Sequence, residues 1–294
     1  MEKPVKTGIK KSTIFLIIGC IIGLSMLLYP RLADYWNTNH TTKAISNYVE
    51  KVTELKKEDY TKLWNEALSY NSDLRSKPLL SDDLKDRYYK CLNVDGSGIM
   101  GYIEIGRLNL SLPVYHGTSE KVLQSSIGHI DWTSLPTGGA GNHCAVSGHR
   151  GLASARLFTD LDSLREGDHF ELYVLNEKLT YEVDQIRTVE PDNISNLAFE
   201  SGRDFCTLVT CTPYGINTHR LLVRGHRIKN DDDEIRVISE AVQIDELIVA
   251  PLVALPFLLA LTLRVMLKRP ESRKNRKAKR REAKLKRTYN YDRQ

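Results

Sequence analysis

From Ile99 to Ile228 the sequence breaks into short β-rich runs, and this pattern constrains the fold more than any other feature. The runs are "IMGYIEI", "LSLPVYH", "HCAVSGH", "HFELYVLN", "KLTYEVDQIRTVEP", "DFCTLVTC" and "RLLVRGHRI". β-Branched and aromatic residues fill them, turn-forming residues separate them, and little helical periodicity lies between. Such spacing predicts a closed barrel or a sandwich. "NEK" reads as a hairpin turn between two runs, and short helical turns are expected near 118–124, 154–164 and 193–198. "NVDGSG" at 93–98 is turn chemistry and marks where the β region begins.

Residues 31–95 read as a helical arm. Ile45, Val49, Val52, Leu55, Tyr60, Leu63, Trp64 and Leu68 recur at mixed three- and four-residue spacings. Pro78 interrupts in "RSKPLLSDDLKDRY", which is expected to be a loop followed by a short turn.

The charge is uneven. Residues 1–11 carry +3 and residues 264–294 carry +11, so a chain total of +5 leaves −9 for residues 12–263. The basic pI describes the two ends and gives no ground for a nucleic-acid surface. Each basic end abuts an apolar segment, "IFLIIGCIIGLSMLL" and "LIVAPLVALPFLLALTL". With their flanks these predict a transmembrane signal anchor over 12–30 and a transmembrane helix over 246–267. A cleaved signal peptide is the rival for the first, but no small-x-small site follows. A buried core helix is the rival for the second, which Pro251 and Pro256 would kink. The positive-inside bias then makes 1–11 a cytoplasmic N-terminus and 268–294 a basic cytoplasmic tail, with 230–245 a charged linker. The β domain, 96–229, is expected at the cell membrane on its extracellular face.

Five cysteines, Cys20, Cys91, Cys144, Cys206 and Cys211, make no paired framework, and no CxxC or His/Cys cluster suggests a metal. In "DFCTLVTC", strand alternation puts Phe205, Thr207, Val209 and Cys211 on one face and Cys206, Leu208 and Thr210 on the other. Cys206 reads as a small core residue. Cys211 ends the strand before "TPYG", so its sulfur can reach a rim, where sites are built. A thiol nucleophile needs a neighbouring cation and a histidine to return the proton. Of eight histidines, His149 stands out, because "AVSGHRG" runs a strand into a glycine-flanked turn. Arg220 follows Cys211 by a strand end, a turn and a strand start, a spacing that can bring both to one mouth. Arg224 lies on the same face about 13 Å deeper, where an ion-pair role is expected. Arg150 is the rival cation.

"TLVTC" with an arginine nine residues on and "SGHRG" upstream resembles a sortase, a surface-protein transpeptidase of Gram-positive bacteria. The likeness covers about 97–228 and includes "GIMGYIEI", "LPVYHGTS", "LFTDLD" and "EGDHFELYVL". "CTPYGINTHRLLVRG" is similar to the pilin-polymerising branch, class C, as is a second membrane segment after the domain. The resemblance implies a mainly β fold, an eight-stranded barrel with short helices. It implies Cys211 as nucleophile, His149 as acid/base and Arg220 as the oxyanion or substrate-positioning residue, with no cofactor. The implied substrates carry LPXTG-like sorting signals cleaved between Thr and Gly, and a pilin lysine is the acceptor. Anchoring to peptidoglycan, or a catalytically silent assembly scaffold, are the alternatives.

Class C enzymes often cover the site with a lid bearing Asp-Pro-aromatic, and this chain lacks that triplet. Residues 76–92 stand at the expected place. They suggest either a degenerate lid, in which Leu84 plugs the thiol and Asp82 or Asp83 pairs with Arg220 or another site cation, or an open site with the segment capping the barrel elsewhere.

Overall fold

The computed structural model describes residues 11–76 and 82–230. The basic tail, the second apolar segment, nearly all of the linker and residues 1–10 lie outside the described residues, as do 77–81 of the candidate lid. The chain divides into two compact units, Met1–Leu28 with Ile238–Gln294, and Tyr29–Val237. Of the first unit the described part is helical, belonging to helix α1, Lys11–Thr53. Among the described residues no helix is long and apolar enough to cross a membrane.

In the second unit the arm consists of the rest of α1, then α2 (Lys57–Ser76) and α3 (Asp82–Tyr88). Helix α1 runs through Pro30, and the division between the two units, at Leu28 and Tyr29, falls beside the expected boundary between anchor and arm. The stretch 82–88, expected as loop and short turn, forms two turns of helix. Tyr48 ties α1 to the β domain: its hydroxyl donates to Met100 O at 3.1 Å and accepts from Leu175 N at 2.8 Å. Asn71 of α2 acts as a strand edge would. It accepts from Leu135 N at 2.7 Å and donates to Leu135 O at 3.1 Å, satisfying both backbone groups of a buried loop.

Eight strands follow: β1 (Ile99–Ile105), β2 (Leu110–His116), β3 (Ile127–His129), β4 (Asn142–Ser147), β5 (His169–Val174), β6 (Glu177–Val189), β7 (Asp204–Thr212) and β8 (His219–Arg227). They close into a barrel in the order β1-β2-β3-β4-β7-β8-β6-β5. The pairs β2/β3 and β4/β7 are parallel, and the others are antiparallel. Closure is thus chosen over the sandwich, leaving no unpaired edge. The sequence pattern shows seven runs because β3 is three residues long, too short to alternate visibly. A four-residue helix α4 (Glu120–Leu123) and single helical turns at 161–163 and 195–197 fall where short turns were expected.

The barrel interior is built by period-two alternation. On β7, Cys206 and Leu208 enter the main core with Val146, Phe170, Tyr181 and Val223. Val209, on the other face, joins a smaller outer cluster with Ala145, Leu197 and Leu222. One strand therefore serves two apolar clusters, and the outer one floors the site.

Candidate active site

Cys211 and Arg220 are direct partners across the antiparallel β7/β8 pair. Directly opposed residues share a face with Cβ atoms about 4.5–5.5 Å apart. His149 comes from the other side. β4 and β7 run parallel, with Ser147 opposite Val209. The register continues past the end of β4, since Gly148 N donates to Val209 O at 3.0 Å and Thr210 Oγ1 donates to Gly148 O at 2.8 Å. Two residues beyond Ser147 and Val209 stand His149 and Cys211. The three side chains thus form one row across three adjacent chain segments. By this register the Cys211 position is flanked by those of His149 and Arg220, at about 4.8 Å per strand.

Gly148 is glycine for a packing reason: a Cβ there would fall 2.8 Å from Ile127 Cγ2 and 2.9 Å from Phe158 Cδ2. The turn carrying His149 is seated against the core at that point. Cys211 is half-buried, so its sulfur is accessible without being fully solvated. Arg220 donates to His219 O at 3.1 Å and Asn217 O at 3.4 Å, which orients its fork from the β7–β8 turn. Arg224 is occupied elsewhere. It makes a two-pronged bond to Asp184, 3.0 and 3.1 Å, and its guanidinium lies 4.1 Å from the Phe205 ring centroid. Arg150, the other candidate cation, points to the far side of the sheet and pairs with Asp162.

Arg220 lines a groove of about 270 Å³ together with Ile130, Trp132, Ser147, Val209 and Leu222. Its far wall is the β6–β7 connection, including Ile194 and Leu197. His219 Nε2 stands 3.2 Å from Glu190 Oε1 and links that connection to the start of β8. A groove of mixed apolar and polar lining that includes Arg220, with Cys211 as the cross-strand partner of that arginine, can hold an extended peptide and present its carbonyl to a thiol. Apart from Arg220, the wall and floor residues were not singled out from the sequence. They come from loops and strand ends that meet only in the folded barrel, and no local spacing marks them.

The candidate lid residues are not placed at this row. Leu84 is fully buried in the main core, and Tyr88 of the same helix donates to His129 Nδ1 or accepts from it at 2.9 Å. Asp82 is exposed and faces Lys85 at 3.6 Å. The physical reason is helical: Leu84 and Tyr88, four apart, share one face of α3, and that face packs inward. Leu84 is therefore unavailable as a plug for the thiol.

A family model, the Sortase domain, matches residues 103–228. The crystal structure of sortase C1 from Streptococcus agalactiae is 53% identical, with a TM-score of 0.63, covering 64% of this chain and 100% of that one. The chain belongs to the sortase family. A Clostridium perfringens sortase C solved with the C-terminal cell wall sorting motif is 42% identical, TM-score 0.58, over 64% of this chain and 100% of that one. Streptococcus pneumoniae sortase C is 38% identical, TM-score 0.58, over 64% and 97%. Among curated relatives, sortase A of Bacillus anthracis is 32% identical over 45% of this chain and 61% of that protein. The match thus spans about three fifths of that relative's length. The sortase family is one of cysteine transpeptidases, and the solved neighbours of this chain include its class C branch.

Proposed function

We propose that this chain is a membrane-anchored class C sortase that cleaves an LPXTG-like signal and joins pilin subunits. The observation that carries the reading is the register that sets Cys211 opposite Arg220, a residue of the groove, and level with the His149 position. In this reaction the Cys211 thiolate attacks the threonine carbonyl carbon. Arg220 donates to the oxyanion, supplying fixed parallel donors where charge develops. The Thr–Gly amide bond breaks, and the His149 imidazolium gives its proton to the departing glycine amine. The thioester on Cys211 is then attacked by a lysine amine of the next pilin, which loses a proton to His149. An isopeptide bond forms and the thiolate is released.

The class C assignment is supported by the identity to sortase C structures, one of which, from Streptococcus pneumoniae, is described for its insight into pilin substrate specificity. Membrane anchoring is supported by α1, where Phe15, Ile18, Ile21, Ile22, Met26 and Leu27 are all exposed and apolar. Exposed side chains of this kind suit lipid. The orientation, with 31–245 outside and both ends cytoplasmic, follows the lysine and arginine bias.

Mass spectrometry of the protein incubated with LPXTG peptides tests the chemistry. An acyl adduct on Cys211, formed with release of the fragment beyond threonine, is the expected result. Resolution of the adduct by a pilin lysine supports the class C reading. Resolution only by a peptidoglycan amine turns it into a wall-anchoring sortase, and the absence of any adduct with intact protein leaves a scaffold.

A further inference from the structure

The residues that follow the two site residues in sequence also meet each other. Arg150 follows His149 and Thr212 follows Cys211, and Arg150 Nη1 donates to Thr212 Oγ1 at 3.1 Å. The other prong, Nη2, is paired with Asp162 Oδ2 on the helical turn Leu161–Ser163. The Tyr214 ring covers the group, with its centroid 6.0 Å from the guanidinium carbon. Gly151, at φ +75°, turns the chain so closely under Tyr214 that a Cβ would fall 2.8 Å from the ring. The Arg150 side chain is only 9% exposed, while its partner Asp162 is 50% exposed.

A buried arginine of this kind is poor evidence of stabilisation, since desolvation opposes the charge attraction. Its geometry is more informative. The planar fork spans from the peptide beside His149 to the hydroxyl beside Cys211, and its second prong is fixed by Asp162. On the other flank, Gly148 is tied to β7 through Val209 O and Thr210 Oγ1. The His149 peptide is therefore tied to the Cys211 strand on both sides of it in sequence, through Gly148 before it and through Arg150 after it. His149 itself lies beyond the end of β4, outside the regular ladder, so the ladder alone does not fix its position relative to Cys211.

We infer that Arg150, braced by Asp162 and Thr212, is a positioning residue that sets the separation of His149 and Cys211 from the face opposite the groove. The inference rests on the roles proposed for those two residues. Proton transfer and thiol activation demand hydrogen-bond reach, and a displacement near 1 Å can cost about 10²-fold. Loosening the strut is expected to slow chemistry while leaving peptide binding in the groove unchanged.

The test uses the full chain in detergent and two readouts. One is the alkylation rate of Cys211 by iodoacetamide, followed by peptide mapping; the other is single-turnover acylation by an LPXTG peptide. His149→Ala sets the floor of the alkylation rate. Thr212→Val and Asp162→Asn are expected to fall about tenfold toward that floor, with the peptide concentration for half-maximal acylation changed less than about twofold. Thr212→Ser, which keeps the hydroxyl, is expected to recover the rate. Wild-type rates in both Thr212→Val and Asp162→Asn overturn the strut. Should Thr212→Val fail to fold, Asp162→Asn decides alone, because its side chain is half-exposed. A wild-type protein that no peptide acylates would count against the proposed function, and the alkylation rates would still judge the strut.

Discussion

Cys206 and Cys211 belong to one strand, five residues apart, and point to opposite faces of the sheet. Cys206 is fully buried and stands directly across from Cys144 on β4. Burial, with Cys144 beside it, pushes the Cys206 thiol well above the usual range. Burial also works against a Cys144 thiolate, yet hydrogen bonds involving Cys206 and His129 outweigh it and draw that thiol down to about 6. Neither sulfur meets a reagent, because Cys144 and Cys206 are 2% and 0% exposed. Cys211 has the opposite setting: half-buried, opposite an arginine that lines the groove, and level in register with a histidine. Thiol chemistry in this fold is governed by which face of β7 a cysteine occupies.

The sharpest way to break that contrast is to remove each thiol in turn. Cys211→Ala is expected to abolish acylation completely, whereas Cys206→Ala and Cys144→Ala should acylate at near wild-type rates. An acylation-dead but folded Cys206→Ala protein would move the nucleophile to the wrong face. The next effect separates two arginines on one face of β8. Arg220→Lys keeps charge and loses the fork, and acylation should slow by about 10²–10³, the scale of one oxyanion donor. Arg224→Lys should instead leave acylation within a few-fold and lower stability, since its fork holds Asp184. Stopped-flow or quenched acylation on both variants reads this directly.

Stability measurements extend the comparison to the lid. Leu84→Ala is expected to cost about 2–5 kcal/mol in urea unfolding, as for other buried leucines. Its Cys211 alkylation rate should not rise while the protein stays folded, and a several-fold rise would restore Leu84 as a plug. Cys206→Ala deletes less and should cost about 0.5–3 kcal/mol. The smallest expected effect is in pH. Burial lowers the pKa of both His116 and His143 below the ordinary value of 6.5. The unfolded chain then binds protons that the folded one refuses. Stability should be full above about pH 6.5 and decline as pH falls through the lowered values. A melting temperature that rises on acidification from pH 7 to 5.5 would contradict this.

Much of the site was legible in sequence because it is local. Strand alternation separates Cys206 from Cys211 without any tertiary information, and a tight turn between two runs makes Arg220 the cross-strand neighbour of Cys211. Arg224, four residues on, falls on the same face and one ion pair deeper, as the same alternation requires. The helical arm was legible from its spacing of apolar residues. The short strand β3 was not legible, because three residues carry no period.

What the sequence by itself determined was every relation between near neighbours: the β-rich domain, the two faces of β7, the Cys211–Arg220 pairing, and the apolar segments beside basic ends. The tertiary structure alone decided three others. His149 joins the row because β4 and β7 pair in parallel across a long separation, and core packing, not a turn, sets that register. Leu84 turns inward because α3 has the arm and barrel to bury against, which a loop-like composition does not reveal. The groove exists only where loops from distant parts of the chain meet over the outer face of β4, β7 and β8. Period and spacing specify which side chains share a surface, while the choice of neighbouring surface belongs to the packing of the whole barrel.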